Sequence, residues 1–281
     1  MNLSLVICTR NRAKQLDQCL QAVALMDKDD GFELVVVDNG STDDTARVLD
    51  DFEQAADFNV KLVSEPVAGL GHARQTGWQA AAGEIVAFTD DDCYVKRDYA
   101  TELLKAMDAN PQVDFFGGKI VLHDPDDLPV TILLVENMRY FFPNRVVRPG
   151  AIQGANFGAR KKALAAAGGI DVRLGAGTPF PAEDIELVGR LAALGHCGIY
   201  LPQVEVRHHH GRRTMEEVTK LFDGYEAGAG AYYALMWRHK HMRLRLAAVW
   251  LIRAAKRLPR RSLNEIRAMR AFNRAYPPGA D

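Results

Sequence analysis

The chain has 281 residues, 48% hydrophobic and 25% charged, with a formal net charge of −1. This is ordinary for a globular protein of one or two domains with a sizeable core. A membrane span is excluded, because the longest apolar run of the tail, 246–252, falls far short of the ~18 residues required. The near-neutral total conceals an asymmetry. Twelve Lys or Arg and a single acid, Glu265, lie between Arg238 and Arg274, a local balance of +11 that leaves −12 for the rest.

The start, "MNLSLVICTRNR", has neither a basic leader nor a long apolar stretch, so no signal peptide is expected. Cys8, Cys19, Cys93 and Cys197 are widely spaced and form no CxxC pair. They read as free thiols of a reducing compartment, with neither a disulfide frame nor a zinc site. A cytoplasmic location is therefore expected.

Strand and helix signals alternate over the first hundred residues. "LSLVIC" reads as a strand, followed by a helix over 13–26 with Leu16, Cys19, Leu20 and Val23 on one face. "FELVVVD" is a second strand, and Ser41-x-x-Asp44 has the pattern of a capping box ahead of a helix. "NVKLVSE", a helix over "GHARQTGWQAAA" and the strand Ile85–Phe88 complete the series. Such alternation predicts an α/β fold with a mostly parallel sheet, whose ligands gather at the carboxyl ends of the strands. Beyond Asn110 the reading is a strand at "VDFFGGKIVLH", a helix over 128–142, a loop or strand entering a short helix at "GANFGARKKALAAAGGID", and a helix over 182–194. The strand "GIYLPQVEVRHHH" follows, and from Thr214 the chain is helical with a break near Pro259.

Three acids, Asp90, Asp91 and Asp92, follow the buried strand. A solvated acidic turn would explain them, but a hard divalent cation such as Mg²⁺ or Mn²⁺ together with phosphates explains them better. Asp38 also ends a strand, and two acid sites at strand ends favour a ligand over two turns. "GLGHAR" supplies only Gly69-x-Gly71 of a dinucleotide fingerprint, and Pro66 interrupts the strand that should precede it.

Five segments, "SLVICTRNRAKQLDQCL", "ELVVVDNGSTDDTARVL", "GLGHARQTGWQAAAGEIVAFTDDDCYV", "GANFGARKKALAAAGGID" and "PAEDIELVGRLAALG", occur in an order that resembles the family-2 glycosyltransferases. The resemblance covers about residues 3–210. It implies a GT-A fold, a Rossmann-like mixed sheet flanked by helices, and inverting transfer of a sugar from a nucleotide-diphosphate donor with Mn²⁺ or Mg²⁺. Carried over by residue, Thr9, Arg10, Asn11 and Arg12 would border the nucleotide, Asp38 would bond the base, and Arg74 would lie near the donor. Asp90 and Asp92 match the DXD motif, with Asp90 near ribose or metal, Asp92 on the metal and Asp91 between them at the donor. Cys8 stands where Pro is frequent and Gln75 where Asn is usual. These departures bear on donor identity.

In "AEDIEL" the resemblance assigns the general base to the second acid, Asp184, with Glu183 beside it. An acceptor hydroxyl must lose a proton as it attacks, although both acids would also favour a helix N-terminus. "VEVRHHH" alternates, with Val204, Val206, His208 and His210 on one side and Arg207 and His209 on the other. The resemblance places a metal-binding His after this strand. His208 is the first choice and His210 the alternate, against a solvated basic turn with Arg207, Arg212 and Arg213. In the tail, Leu244, Ala248, Leu251, Ala255 and Leu258 share a helical face. Arg243, Arg245, Arg253, Lys256 and Arg257 ring the rest, with Trp237 and Trp250 placed for an interface. Such a helix suits an anionic membrane surface or simple packing on the catalytic domain.

The expected organisation is a catalytic domain over 1–213, with a nucleotide-binding half to 110 and an acceptor half from 111, then a basic helical extension over 214–281. The expected donor is a UDP-, GDP- or dTDP-linked sugar. The acceptor is a glycan, a lipid-linked group or a small molecule, in cell-envelope, polysaccharide or glycoconjugate synthesis. A polyprenyl-phosphate glycosyltransferase is the alternative. A sugar-1-phosphate nucleotidyltransferase is a third reading, weakened by the lack of a Gly-rich signature at the first strand, and a non-catalytic nucleotide-sugar-binding protein is a fourth. No nucleic-acid motif is present and no such partner is expected, while a homo-oligomer stays open.

Overall fold

The computed structural model describes residues 2–256 and 259–278, excluding the side chains of 250, 253–256 and 259–262. The N-terminal half runs β1 (Leu3–Thr9), α1 (Ala13–Ala24), β2 (Phe32–Asp38), α2 (Thr45–Ala55), β3 (Asn59–Ser64), α3 (Leu70–Ala80) and β4 (Ile85–Asp90). Then come β5 (Cys93–Val95), α4 (Tyr99–Ala109), β6 (Val113–Leu122), β7 (Arg139–Phe141), β8 (Asn156–Arg160), α5 (Lys161–Ala167), α6 (Glu183–Ala193) and β9 (Cys197–His208). The C-terminal helices are α7 (Met215–Arg238), α8 (Arg243–Lys256) and α9 (Pro259–Ala275).

The strands form one mixed sheet in the order β3-β2-β1-β4-β8-β6-β9-β5, with β7 pairing β9. β3, β2, β1 and β4 are parallel, whereas β8 runs antiparallel to both β4 and β6. The continuous apolar runs of β1 and β2 suit strands covered on both faces. Leu16 and Leu20 of α1 and Leu103 of α4 pack on one face. Ala73 of α3, Leu164 of α5 and Leu187 of α6 pack on the other. The parallel register sets Thr9 beside Asp38 and Cys8 beside Asp90, so the ends of β1, β2 and β4 meet in one place.

Two local expectations are corrected. Residues 128–142 are not helical. The Leu128 N–H donates to the Arg212 carbonyl, Leu133 exchanges backbone bonds with Ile120, and Arg139–Phe141 adds a short strand to β9. Tertiary backbone pairing overrides the local helical pattern there. Ser41 does not cap α2 either. Its hydroxyl accepts from the Asn11 N–H, and it is Asp43 that accepts the Thr45 N–H, at 3.1 Å. A complete capping box does occur, at Thr214 and Glu217, opening α7.

The apolar stripe of the tail lies on α8. Leu244 and Leu251 are 88% and 62% exposed, while Met242 and Leu246 face inward. The predicted apolar stripe thus faces solvent, and Ala255, Leu258 and the Trp250 side chain lie outside the described residues. α7 and α9 join Leu174, Phe180 and Ala182 in a shared apolar cluster around Tyr232 and Phe272. α7 carries glycine because its neighbours press close: a Cβ on Gly230 would lie 2.6 Å from the Glu265 carbonyl oxygen. Among the described residues, no helix is long and apolar enough to cross a membrane.

Candidate active site

Asp91 and Asp92 are almost fully buried, 4% and 6% exposed, at the end of β4. Adjacent buried carboxylates demand partners, and each has one. The Thr9 hydroxyl donates to Asp91 at 2.7 Å, and the Arg12 guanidinium reaches Asp91 at 3.3 Å and Asp92 at 2.6 Å. Asp90 pairs with Arg74 at 2.7 Å. Burial outweighs the Arg12 charge at Asp91 and pushes its carboxyl up to about 7. Burial would raise Asp92 as well, but the bond from His208 and the charges of His208 and Arg12 hold it well below the usual range.

His208 ends β9 and is buried on the inward side of the alternation, with Arg207 exposed on the other. Its Nε2 lies 3.4 Å from Asp92 Oδ1, and its Nδ1 faces the Thr131 carbonyl at 3.2 Å and hydroxyl at 3.1 Å. An Nδ1–H donated to that carbonyl leaves Nε2 directed at the aspartates, the orientation that metal-binding histidines use. Burial lowers His208, yet the bond to Asp92, the charges of Asp92 and Asp90 and the Thr131 carbonyl together outweigh it and hold the imidazole above its ordinary value. Thr131 has φ +54°, rare for a β-branched residue, and it lies in the segment expected to be helical. His210 turns elsewhere, its Nδ1 accepting the Arg212 N–H.

Asp90, Asp92, Cys93 and His208 offer ligand atoms within 4.8 Å of one another, the one such group among the described residues. Two carboxylates and an imidazole suit Mn²⁺ or Mg²⁺. Burial pushes the Cys93 thiol well above its ordinary value, so it stays protonated and is a poor donor to a hard ion.

Arg74 is 2% exposed and ties β4 to α6, with Asp90 on one side and Glu183 at 2.6 Å on the other. It also donates to the Gly154 carbonyl at 2.9 Å. Burial pushes Glu183 up to about 7 against the pull of Arg74. Asp184 stands beside it in the cavity wall, likewise raised by burial and pulled back by Arg74. Glu183 is thus committed to Arg74, while Asp184 accepts backbone N–H bonds from Gly154 and Ile185, and both acids border an open space.

That space is a cavity of about 940 Å³. Its lining includes Thr9, Arg10 and Arg12, Asp90 to Asp92 with His208, and Glu183 and Asp184. Asp38 and Asn11 stand outside the lining: Asp38 accepts the Ser41 N–H at 2.9 Å, and Asn11 accepts the Thr42 N–H at 2.7 Å. Asn39, next to Asp38, does line it and accepts the Gly69 N–H at 2.8 Å. The sequence reading missed Asn39, Thr131 and the contribution of α7, whose Phe222, Tyr225 and Glu226 form part of the wall. The "GYEAGAGA" run was the available signal, since repeated glycine in a helix marks close packing against a neighbour.

The profile of glycosyl transferase family 2 matches residues 4–165. Glycosyltransferase AglE of Haloferax volcanii is 30% identical over 125 residues, 44% of this chain and 41% of that protein. The glucosyl-dolichyl phosphate glucuronosyltransferase of the same organism is 29% identical over 123 residues, 43% and 39% of the two chains. The chain thus spans less than half the length of these curated relatives. Among solved structures, the mannosyltransferase PcManGT of Pyrobaculum calidifontis, in complex with GDP-Man and Mn²⁺, superposes with a TM-score of 0.69 at 21% identity. That match covers 98% of this chain and 75% of the other. S. aureus TarS 1–349 in complex with UDP gives 0.62 at 19% identity, covering 82% and 65%. The mixed sheet with its strand-end acids and the profile match over more than half the sequence lead to one conclusion: this chain belongs to glycosyl transferase family 2 and has the GT-A fold.

Proposed function

We propose that the protein is an inverting, metal-dependent glycosyltransferase that moves a sugar from a nucleotide-diphosphate donor to an acceptor hydroxyl. The observation that carries this reading is one cavity lined by both the Asp90–Asp92–His208 cluster and Asp184. PcManGT with GDP-Man and Mn²⁺ and TarS with UDP share the fold and support a nucleotide-sugar donor.

Asp90, Asp92 and His208 would hold Mn²⁺ or Mg²⁺, which when bound neutralises charge on the leaving diphosphate. Thr9, Arg10 and Arg12 border the nucleotide, with Asn11 and Asp38 beside them for ribose and base. Asp91 braces Thr9 and Arg12 from below. Asp184 takes the proton of the acceptor hydroxyl as its oxygen bonds to the anomeric carbon. The bond from that carbon to the diphosphate breaks, and its electron pair leaves with the nucleotide. Arg74 and Glu183 hold the wall in which Asp184 sits.

The relative named for a glucosyl-dolichyl phosphate keeps a polyprenyl-phosphate acceptor as a second reading. The solvent-facing Leu244, Leu251 and Ile252 of α8, set in the segment of +11, support peripheral attachment to an anionic leaflet. The test of the donor assignment is a thermal-shift panel of UDP-, GDP- and dTDP-sugars with Mn²⁺. At least one should raise Tm only when metal is present, by mass action on the folded state. No shift with any of them would contradict the proposal.

A further inference from the structure

Phe142 is 62% exposed, although its neighbour Phe141 turns inward and stacks on Phe115. The turn that displays it is fixed from within and from outside. The Phe142 carbonyl accepts the Arg145 N–H at 3.3 Å, with Pro143 and Asn144 between them and Asn144 at φ +56°. Pro followed by Asn is the signature of a type II turn, since Pro sets the first angle and Asn tolerates the left-handed one. The Asn144 N–H donates to the Ala192 carbonyl at 2.7 Å, and the Asn144 carbonyl accepts from the Arg245 side chain of α8. The His241 imidazole donates to the next carbonyl of α6, that of Ala193, at 3.0 Å. The C-terminal end of α6 therefore holds residues 142–145 beside the start of α8. Phe142, Leu194 and Leu244 flank these contacts, and all three are exposed. Residues 137–148 contain three arginines and no acid. Arg139, Arg145 and Arg148, like Arg243 and Arg245 of α8, pair with no carboxylate among the described residues. Glu136, just before them, is engaged by Lys119 at 2.9 Å.

We propose that the Phe142 turn is a second membrane anchor, built into the sheet domain, that seats together with α8 on an anionic lipid surface. The inference rests on the attachment of α8 and extends it: the domain that carries the cavity itself touches the leaflet. Contact is made at the end of α6 away from Asp184, about 14 Å along the helix. Apolar tips flanked by unpaired arginines match the boundary between acyl chains and anionic headgroups. A second copy of the chain fits this face poorly, because a two-fold contact would set the same arginines against one another. A turn already fixed by its own bonds gives up little conformational freedom on docking. Two anchors joined through one rigid helix end bind more tightly than either alone and set the orientation of the cavity over the leaflet.

The test is flotation of the full chain at low salt with vesicles of mixed phosphatidylglycerol and phosphatidylcholine, against vesicles of phosphatidylcholine alone. Wild type should float with the anionic vesicles only. Phe142→Ser and Arg145→Glu should each weaken binding roughly tenfold. Their Tm and its response to nucleotide with Mn²⁺ should stay at wild-type values, since neither side chain lines the cavity. The emission that Phe142→Trp adds over wild type should move to shorter wavelength on anionic vesicles. The inference is overturned if wild type floats and Phe142→Ser floats equally, or if the added emission does not move. A dimer that Phe142→Ser dissociates, seen by light scattering with flotation unchanged, assigns the face to a second copy instead. Failure of wild type to float removes the α8 attachment and this anchor together. The nucleotide response, measured in parallel, reports on the transferase reading separately.

Discussion

Arg74 bridges Asp90 at the end of β4 and Glu183 at the start of α6, at 2.7 Å and 2.6 Å, in a site where its side chain is 2% exposed. One guanidinium thereby couples the acids at the end of β4 to the start of α6, which carries Asp184. Removing it would leave two carboxylates without their cation. Arg74→Met should therefore cost about 3–5 kcal/mol of stability, the usual penalty for breaking a buried pair from one side, read by urea denaturation.

The same geometry separates the roles of the two α6 acids. Asp184→Asn keeps size but removes basicity, so turnover should fall by roughly 10²–10⁴ with donor affinity near wild type. Glu183→Gln should act mainly on stability. Because burial raises Asp184, the acid limb of the rate profile should lie above the ordinary Asp range and vanish in Asp184→Asn. Single-turnover transfer with parallel donor binding checks this, and a larger loss in Glu183→Gln would move the base to Glu183.

Asp91 makes a prediction about stability and pH. Its folded value is about 7 because burial favours the neutral acid. The folded chain therefore keeps a proton that the unfolded chain has released, and this contribution is lost as pH rises from about 4 through 7. Glu183 adds a loss of the same sign. Asp91→Asn should flatten the fall of Tm over that window, its advantage over wild type growing toward neutral pH. An advantage that shrinks as pH rises would contradict the assignment.

Thr131 holds His208 through its carbonyl, from a backbone at φ +54°. Thr131→Gly tolerates that angle and should retain metal affinity, whereas Thr131→Pro cannot adopt it. The proline variant should lose roughly 10–100-fold in Mn²⁺ affinity, as when a supporting partner of a ligand is removed. His208→Ala should abolish the metal dependence of nucleotide binding. His209→Ala should not, because His209 stacks with His123 and Tyr94 on the opposite side of β9.

The exposed apolar stripe of α8 predicts attachment to anionic vesicles at low salt, weakening as salt shortens the Debye length. Each Lys or Arg near the leaflet contributes about 1 kcal/mol. Leu244→Glu with Leu251→Glu should abolish flotation without loss of fold, since both side chains face solvent. Equal flotation of this variant and wild type would assign the stripe to another role.

The strands, their acid-bearing ends and the inward placement of His208 were legible because each depends on short-range periodicity. β4 runs into Asp90, and the two-residue repeat of β9 carries His208 inward as it carries Val204 and Val206. The segment 128–142 was not legible, because its conformation is set by backbone bonds to Ile120, Arg212 and β9, far away in sequence. Which way the α8 stripe turns was not legible for a related reason. Periodicity shows that a helix has an apolar face, but which residues turn inward is decided by the neighbours, here in favour of Leu246. Likewise, "GYEAGAGA" signals that α7 packs closely on a neighbour, but not that it lines this cavity.

The most direct test of the central claim is calorimetric titration of UDP and GDP into the wild type and Asp92→Asn, each with and without Mn²⁺. The account predicts that one nucleotide binds the wild type much more tightly with Mn²⁺, and that this gain disappears in Asp92→Asn. Nucleotide affinity indifferent to Mn²⁺ in the wild type, or an equal gain retained in the variant, would contradict it.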